Sequence, residues 1–293
     1  MKNKAIKQGL NRTRLIPYMF VAPAILYIIA VTMIPAVMAL PISFTNWSAL
    51  SPNKKFVGFE NYIRLISDKA YWESCLVMAK FFFYVPIVMA TGLGAALLLN
   101  QQQKGTQLFR VIFYAPVITS TVAVAILFDW FYQPTFGLFN AILKALGLSP
   151  IGWLQDPATA VPSVILFKVW KDFGTAMLIY LAGLQDIGSE VKEAAMVDGA
   201  NVWQRFIHIT FPLLKPSHTY LLLTNIINVF MIFQETYVLE GALNSTRTVV
   251  NYIYEQGFQS FRMGYASAMS FVLFLFIIIV TIVQQRFSKM ELA

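Results

Sequence analysis

The chain has 293 residues, of which 58% are hydrophobic and only 12% charged. Soluble domains carry roughly 25% charged residues, so this composition excludes an ordinary soluble protein and points to a chain that lives in a bilayer. The net charge of +8 does not indicate nucleic acid as a partner, because the basic residues flank apolar runs and form no basic stripe interleaved with aromatics.

A helix needs about 20 mostly apolar residues to cross the hydrocarbon core. Six candidate spans follow along the chain: Leu15–Leu40, Ser74–Leu99, Val111–Tyr132, Val161–Leu184, Phe211–Leu239 and Met263–Val283. The fourth is more polar than the others. Pro17, Pro23 and Pro35 predict a bent or broken first helix. That first run is far longer than the roughly 7–15 apolar residues of a signal peptide, so it reads as a retained span. Two stretches between spans are apolar at helical spacing: "NKKFVGFENYIRLISD" after span one and "FGLFNAILKALGL" after span three. Each predicts a short surface helix. The expected fold is an all-α polytopic membrane protein with a tail over residues 1–14 and one transmembrane domain over residues 15–293.

Orientation follows from Lys and Arg in the loops. With the N-terminus inside, 12 basic residues fall on the cytoplasmic side, 7 outside and 3 within spans. This predicts that both termini are cytoplasmic, and with them the loop between spans four and five.

Several chemistries are set aside. Cys75 is the single cysteine, which rules out an intrachain disulfide or a thiolate cluster. The two histidines, His208 and His218, have prolines between them and make a poor zinc-ligand set. The sequence holds no Gly-Lys dipeptide, hence no Walker A loop, so any ATP must bind another chain.

The loop "EVKEAAMVDGANVWQRFIHITFPLLKP", Glu190 to Pro216, is unlike the greasy runs beside it. Ser189 is placed to cap a helix, and "EVKEAAMV" consists mostly of fair to good helix formers. Asp198-Gly199 is a turn signal, and Asn201 is placed to cap a second helix. Pro212 and Pro216 restrict the chain on its way back into the bilayer. Ala194 and Ala195 let another surface approach closely, while Glu193 and Asp198 offer carboxylates to cationic partners. From periodicity alone the segment could equally be an interfacial turn that reconnects two spans.

The loop resembles the EAA motif of ABC-importer permeases, E-A-A-x-x-D-G-A-x(5)-F-x-x-I-x-x-P-x(3)-P. Glu193, Ala194, Ala195, Asp198, Gly199, Ala200, Phe206, Ile209, Pro212 and Pro216 fill its fixed positions. "RLIPYMFVAPAILYIIAVTMIPAVMALPISFTNW", "FVGFENYIRLISD", "LIYLAGLQDIGSEVKEAA" and "VVNYIYEQGFQSFRMGYASAMSFVLF" are similar to the carbohydrate-uptake branch, the MalF-like sugar permeases. One departure is "EGALN", Glu240 to Asn244, where Gly-Gly-Pro is common.

The resemblance implies six transmembrane helices with a cytoplasmic coupling helix between the fourth and fifth, in an EAA loop spanning residues 189–216. It implies a subunit without enzymatic activity in the bacterial inner membrane. This subunit would pair with a second permease subunit as a heterodimer. Two cytoplasmic ATPase subunits would bind the ATP and Mg, and an extracytoplasmic solute-binding protein would deliver a saccharide. Glu193 would meet a cationic ATPase residue, and Gly199 would be the elbow between two short helices.

Polar and ionisable groups inside spans are functional candidates by default. Span four holds Lys168, Lys171 and Asp172, whose spacing suggests one helix face. Span five holds Asn225 and Asn228, then Gln234 and Glu235, with Trp170 and Tyr237 nearby along the two spans. Lys168, Lys171, Asp172, Asn225 and Asn228 are therefore the candidate substrate-binding residues. Their structural alternatives are an internal Lys168–Asp172 pair, lysines that snorkel to the interface, and asparagines that bond neighbouring helices. Two lysines in one cavity would favour an anionic sugar, such as a uronate oligosaccharide or glycerol 3-phosphate. A stand-alone secondary carrier would normally have more spans and a visible repeat.

Overall fold

The computed structural model describes residues 17–51, 54–101 and 105–292, with the backbone alone for residues 192 and 287–292. The expected tail over residues 1–14 lies outside the described residues. Within them every regular element is helical, apart from one isolated antiparallel bridge between Thr45 and Phe56.

The first helix runs Pro17–Ser43. The prolines do not break it. A π-helical stretch, Ile28–Met33, precedes Pro35, and such wider turns absorb a missing N–H inside a helix. The second span is helical over Lys69–Leu99, with a 3₁₀ turn at Phe81–Phe83 just before Pro86. Its start is capped by Asp68, which accepts from the N–H groups of Ala70 and Tyr71.

The third span departs from the expected continuous Val111–Tyr132 helix. It divides into Thr106–Ile118 and Thr121–Phe131, bent by 95°. Pro116 weakens the end of the first piece, Thr119 is extended, and Ser120 caps the second piece by accepting from Ala123. Pro157–Asp186 follows as one 30-residue helix, about 45 Å long at 1.5 Å per residue. The fifth span runs Lys215–Val238 with an interruption between Phe230 and Gln234. The last helix is Met263–Leu292. Short helices also form at Glu60–Ser67 and Leu138–Ala145, where apolar spacing predicts them.

Among the described residues, four helices are long and apolar enough to cross a membrane, or five if the bent pair is one span. Pro157–Asp186 has the length, but Lys168, Lys171, Asp172 and Asp186 make it too highly charged to be included among them.

The chain forms two compact units. The smaller comprises the described residues up to Ser67 together with Ile253–Leu273. Asn61 ties it together, donating to the carbonyls of Ser43 at 2.8 Å and Thr45 at 2.9 Å. Phe44, Phe59 and Tyr62 cluster beside it, and Gly264 N–H donates to Trp47 O at 3.0 Å.

The larger unit spans Asp68–Tyr252 with Phe274 onward. Its core joins the Lys69–Leu99, Pro157–Asp186 and Lys215–Phe230 helices through Ala96, Met177, Tyr180, Leu184, Leu214 and Leu221. Lipid is as apolar as leucine, so helices in a bilayer associate by close packing. Gly92 supplies it: a Cβ there would lie 2.5 Å from the Cβ of Ala176 and 2.9 Å from the Met177 nitrogen.

Candidate functional site

Inside the larger unit, a cavity of about 500 Å³ is lined by Tyr84, Lys168, Asp172, Asn225, Asn228 and Glu235, together with the hydroxyl groups of Thr175, Tyr220 and Thr224. Small-molecule sites commonly occupy about 300–1,000 Å³. Three of the walls come from the second, fourth and fifth spans.

The fourth-span helix supplies Lys168 and Asp172 one turn apart. The Lys168 ammonium donates to Asp172 Oδ2 at 2.9 Å and to Glu235 Oε1 at 3.0 Å. Its side chain is 7% exposed, against 30% for Asp172 and 14% for Glu235. A buried ammonium needs such partners, because desolvation of an unpaired charge costs several kcal/mol. The Tyr84 hydroxyl, fully buried, donates to Asp172 Oδ2 at 2.8 Å and reaches Asn225 Oδ1 at 3.2 Å. The Asn225 amide donates to Leu221 O at 2.8 Å, while Asn228 is exposed on the cavity wall.

Glu235 reaches this group because the fifth helix is broken. Met231 ends one segment, Phe233 has φ −141° and ψ −60°, and the helix restarts at Gln234 with Glu235 in its first turn. Non-helical backbone at membrane depth is tolerated where it is buried in protein or lines a cavity. Here it is held by hydroxyls: Thr248 donates to the Ile232 carbonyl at 2.9 Å, and Thr236 donates to Asn251 Oδ1 at 2.7 Å.

Lys171 is not on the cavity. It is buried and donates to the carbonyl of Val117 at 3.0 Å, at the end of the Thr106–Ile118 helix. Trp170 lies against Phe128 with ring centroids 5.1 Å apart, and Tyr237 against Phe233 at 5.4 Å; neither lines the cavity. The structure therefore brings together Lys168, Asp172, Asn225 and Asn228, leaves Lys171 outside, and adds Tyr84 and Glu235. The signal for Tyr84 was available in principle, since it is a hydroxyl inside an apolar run.

The second region is the loop from Ser189. A helix covers Ser189–Val197 with Gly188 at its N-cap position and no side-chain cap; Ser189 is thus the first helical residue and not the cap expected of it. The helix ends with Ala200 N–H bonded to Ala195 O and Gly199 N–H bonded to Met196 O, a Schellman arrangement. It requires a left-handed residue, and Gly199 has φ +78°. Asn201 caps Val202–Arg205, with Gln204 completing a capping box. Glu193, Ala194, Asp198 and Gly199 are exposed, Ala200 is half-buried, and Ala195 is 7% exposed. Around the elbow, Met196, Val197, Val202 and Trp203 are also exposed.

The profile of the family described as "Binding-protein-dependent transport system inner membrane component" matches residues 88–290. The trehalose/maltose transport system permease protein MalF of Thermococcus litoralis is 32% identical over 291 residues, covering 99% of each chain. The arabinooligosaccharides transport system permease protein AraP of Bacillus subtilis is 33% identical over 277 residues, covering 93% of this chain and 88% of the relative. A chain from the crystal structure of a bacterial alginate ABC transporter, in complex with an alginate pentasaccharide-bound periplasmic protein, shares the fold. Its TM-score is 0.85 with 22% identity, covering 97% of each chain.

Proposed function

Because this chain belongs to the family of binding-protein-dependent transport system inner membrane components, we propose that it is a permease subunit of an ATP-driven importer of saccharides. Its role is that of a multi-pass membrane component which forms half of a translocation pathway and hydrolyses nothing itself. The observation that carries the sugar assignment is the match over nearly the whole chain to permeases named for trehalose/maltose and arabinooligosaccharides. The polar cavity of about 500 Å³ in an otherwise apolar helical unit supports it, since amides, hydroxyls and carboxylates suit a polyol.

Six spans are proposed: the five that apolar length supports and the polar Pro157–Asp186 helix. Both termini are assigned to the cytoplasm by the 12-to-7 excess of basic residues in the loops. Residues 189–216 then form a cytoplasmic coupling loop. Glu193, Ala194, Asp198, Gly199 and Ala200 would dock on an ATPase subunit, whereas Ala195, expected beside them, is buried and supports the helix from beneath. An exposed apolar rim with a carboxylate nearby, as at Val197, Trp203 and Glu193, is the kind of surface a partner covers. A second permease subunit, two ATPase subunits carrying ATP and Mg, and an extracytoplasmic binding protein complete the assembly. Lys168, Asp172, Asn225 and Asn228 are assigned to the sugar pathway, with Lys171 retained only as a support for the neighbouring helix.

The test is purification of the chain with its partners and reconstitution into proteoliposomes. Saccharide-loaded binding protein is expected to stimulate ATP hydrolysis and drive sugar uptake together. An assembly that contains no ATPase, or whose hydrolysis ignores every loaded binding protein, sinks the proposal.

A further inference from the structure

We infer that the cavity accepts saccharides without anionic groups and turns away uronates and sugar phosphates, with Glu235 and Asp172 as its specificity-determining residues. This rests on the reading of the cavity as part of the sugar pathway.

The formal charge of the cavity wall sets the preference. The ionisable side chains lining the cavity are Lys168, Asp172 and Glu235: one ammonium and two carboxylates. The ammonium is 7% exposed and already held by both carboxylates, at 2.9 and 3.0 Å. It cannot turn toward an anionic ligand without leaving those carboxylates bare in a medium of low polarity. The second cation of the same helix, Lys171, is committed to the Val117 carbonyl at 3.0 Å. The excess charge of the wall is therefore negative. A ligand carboxylate or phosphate would meet repulsion that water screens poorly at this depth.

The same groups welcome neutral polyols. Asp172 is 30% exposed at its side chain, so it retains lone pairs to accept sugar hydroxyls, and hydrogen bonds to carboxylates are about twice as strong as neutral ones. The remaining polar lining, from Tyr84, Thr175, Tyr220, Thr224, Asn225 and Asn228, is uncharged. Two lysines in one helix suggested a preference for anions; the packing of that helix reverses the preference.

The experiment reads the sign of the cavity directly. In the intact importer, Cys75→Ser removes the chain's single cysteine, and Thr175→Cys places a thiol at an exposed position on the cavity wall, three residues from Asp172. Labelling of this chain is followed by mass spectrometry with a cationic and an anionic methanethiosulfonate, normalised to a small free thiol. The cationic reagent is expected to be favoured by about tenfold, the scale of one excess charge a few ångströms away. Glu235→Gln and Asp172→Asn, each added separately, are expected to shrink that preference several-fold. An unbiased or inverted ratio overturns the proposal, as does uptake of a uronate or sugar phosphate by the wild-type importer. Protection of the introduced thiol during turnover with the transported sugar tests the underlying pathway. Unslowed labelling with the charge ratio intact removes the pathway reading and the selectivity with it, whereas protection with an inverted ratio removes the selectivity alone.

Discussion

The Lys171 ammonium donates to the carbonyl of Val117 across a helix–helix contact, at 3.0 Å. Val117 lies in the last turn of the Thr106–Ile118 helix, where carbonyls lack partners within the helix and the helix dipole favours a cation. The chain then turns by 95° into Thr121–Phe131. A buried lysine thus stabilises a break that would otherwise leave a bare carbonyl at membrane depth.

Lys171→Met keeps the length and bulk of the side chain and removes the donor. It is expected to destabilise the assembled protein by about 1.5–3 kcal/mol, the usual worth of a hydrogen bond to a charged group. Sugar selectivity should stay unchanged because Lys171 is off the cavity. Thermal unfolding of the purified complex checks the first point and competition of uptake the second; a change of selectivity at wild-type stability would place Lys171 in the pathway after all.

Gly92 and Gly94 form a controlled pair on one helix. A Cβ on Gly92 would be 2.5 Å from Ala176 Cβ, whereas one on Gly94 meets nothing within 4 Å. Gly92→Ala is expected to cost about 1–3 kcal/mol through overpacking, and Gly94→Ala to stay within about 0.5 kcal/mol of wild type. Comparing the melting temperatures of the two variants decides it, and equal losses would show that the two helices do not meet at Gly92.

Much of this architecture was legible because a bilayer demands long apolar runs, and such runs are visible without knowing what they touch. The turn at Gly199 and the cap at Asn201 were legible for a related reason, since each depends on residues within four positions. What escaped was set by contacts far along the chain. Lys168 and Glu235 are 67 residues apart, so no spacing rule could pair them. The grouping of Lys168, Lys171 and Asp172 on one face was too coarse. At 3.6 residues per turn, Asp172 lies about 40° to one side of Lys168 and Lys171 about 60° to the other. That difference sends one lysine to the cavity and the other to Val117. The bend after Ile118 was likewise hidden, because Pro116 and Ser120 sit in a run apolar enough to read as continuous.

The elbow at Gly199 yields a prediction about force transmission. Its φ of +78° is out of reach for proline, which is fixed near −65°. Gly199→Pro is therefore expected to disorder the turn between Ser189–Val197 and Val202–Arg205. Glu193→Lys reverses a charge on an exposed face of the Ser189–Val197 helix without touching the fold. Both are expected to insert normally yet to lower uptake by about tenfold or more, equivalent to about 1.4 kcal/mol of lost coupling. Uptake in proteoliposomes, set against ATP hydrolysis by the same preparation, measures this; wild-type uptake in both variants would remove the loop from the coupling machinery.

His218 carries the last prediction. Its Nε2 lies 3.2 Å from the carbonyl of Phe211, and its Nδ1 lies 2.8 Å from the Tyr180 hydroxyl. A carbonyl only accepts, so Nε2 carries a proton and donates to it, while Nδ1 pairs with the tyrosine hydroxyl. One imidazole thereby joins the end of the 189–216 loop to the Pro157–Asp186 helix that lines the cavity. His218→Phe preserves the ring packing against Phe211, whose centroid is 4.4 Å away, and removes both hydrogen bonds. At about 0.5–1.5 kcal/mol each, the loss should be tolerable for folding. If the imidazole carries the loop's movement to the cavity, the variant should transport fewer sugar molecules per ATP hydrolysed, by a few-fold, and His218→Gln, which can donate and accept, should recover part of the ratio. A ratio unchanged in His218→Phe would confine this residue to packing.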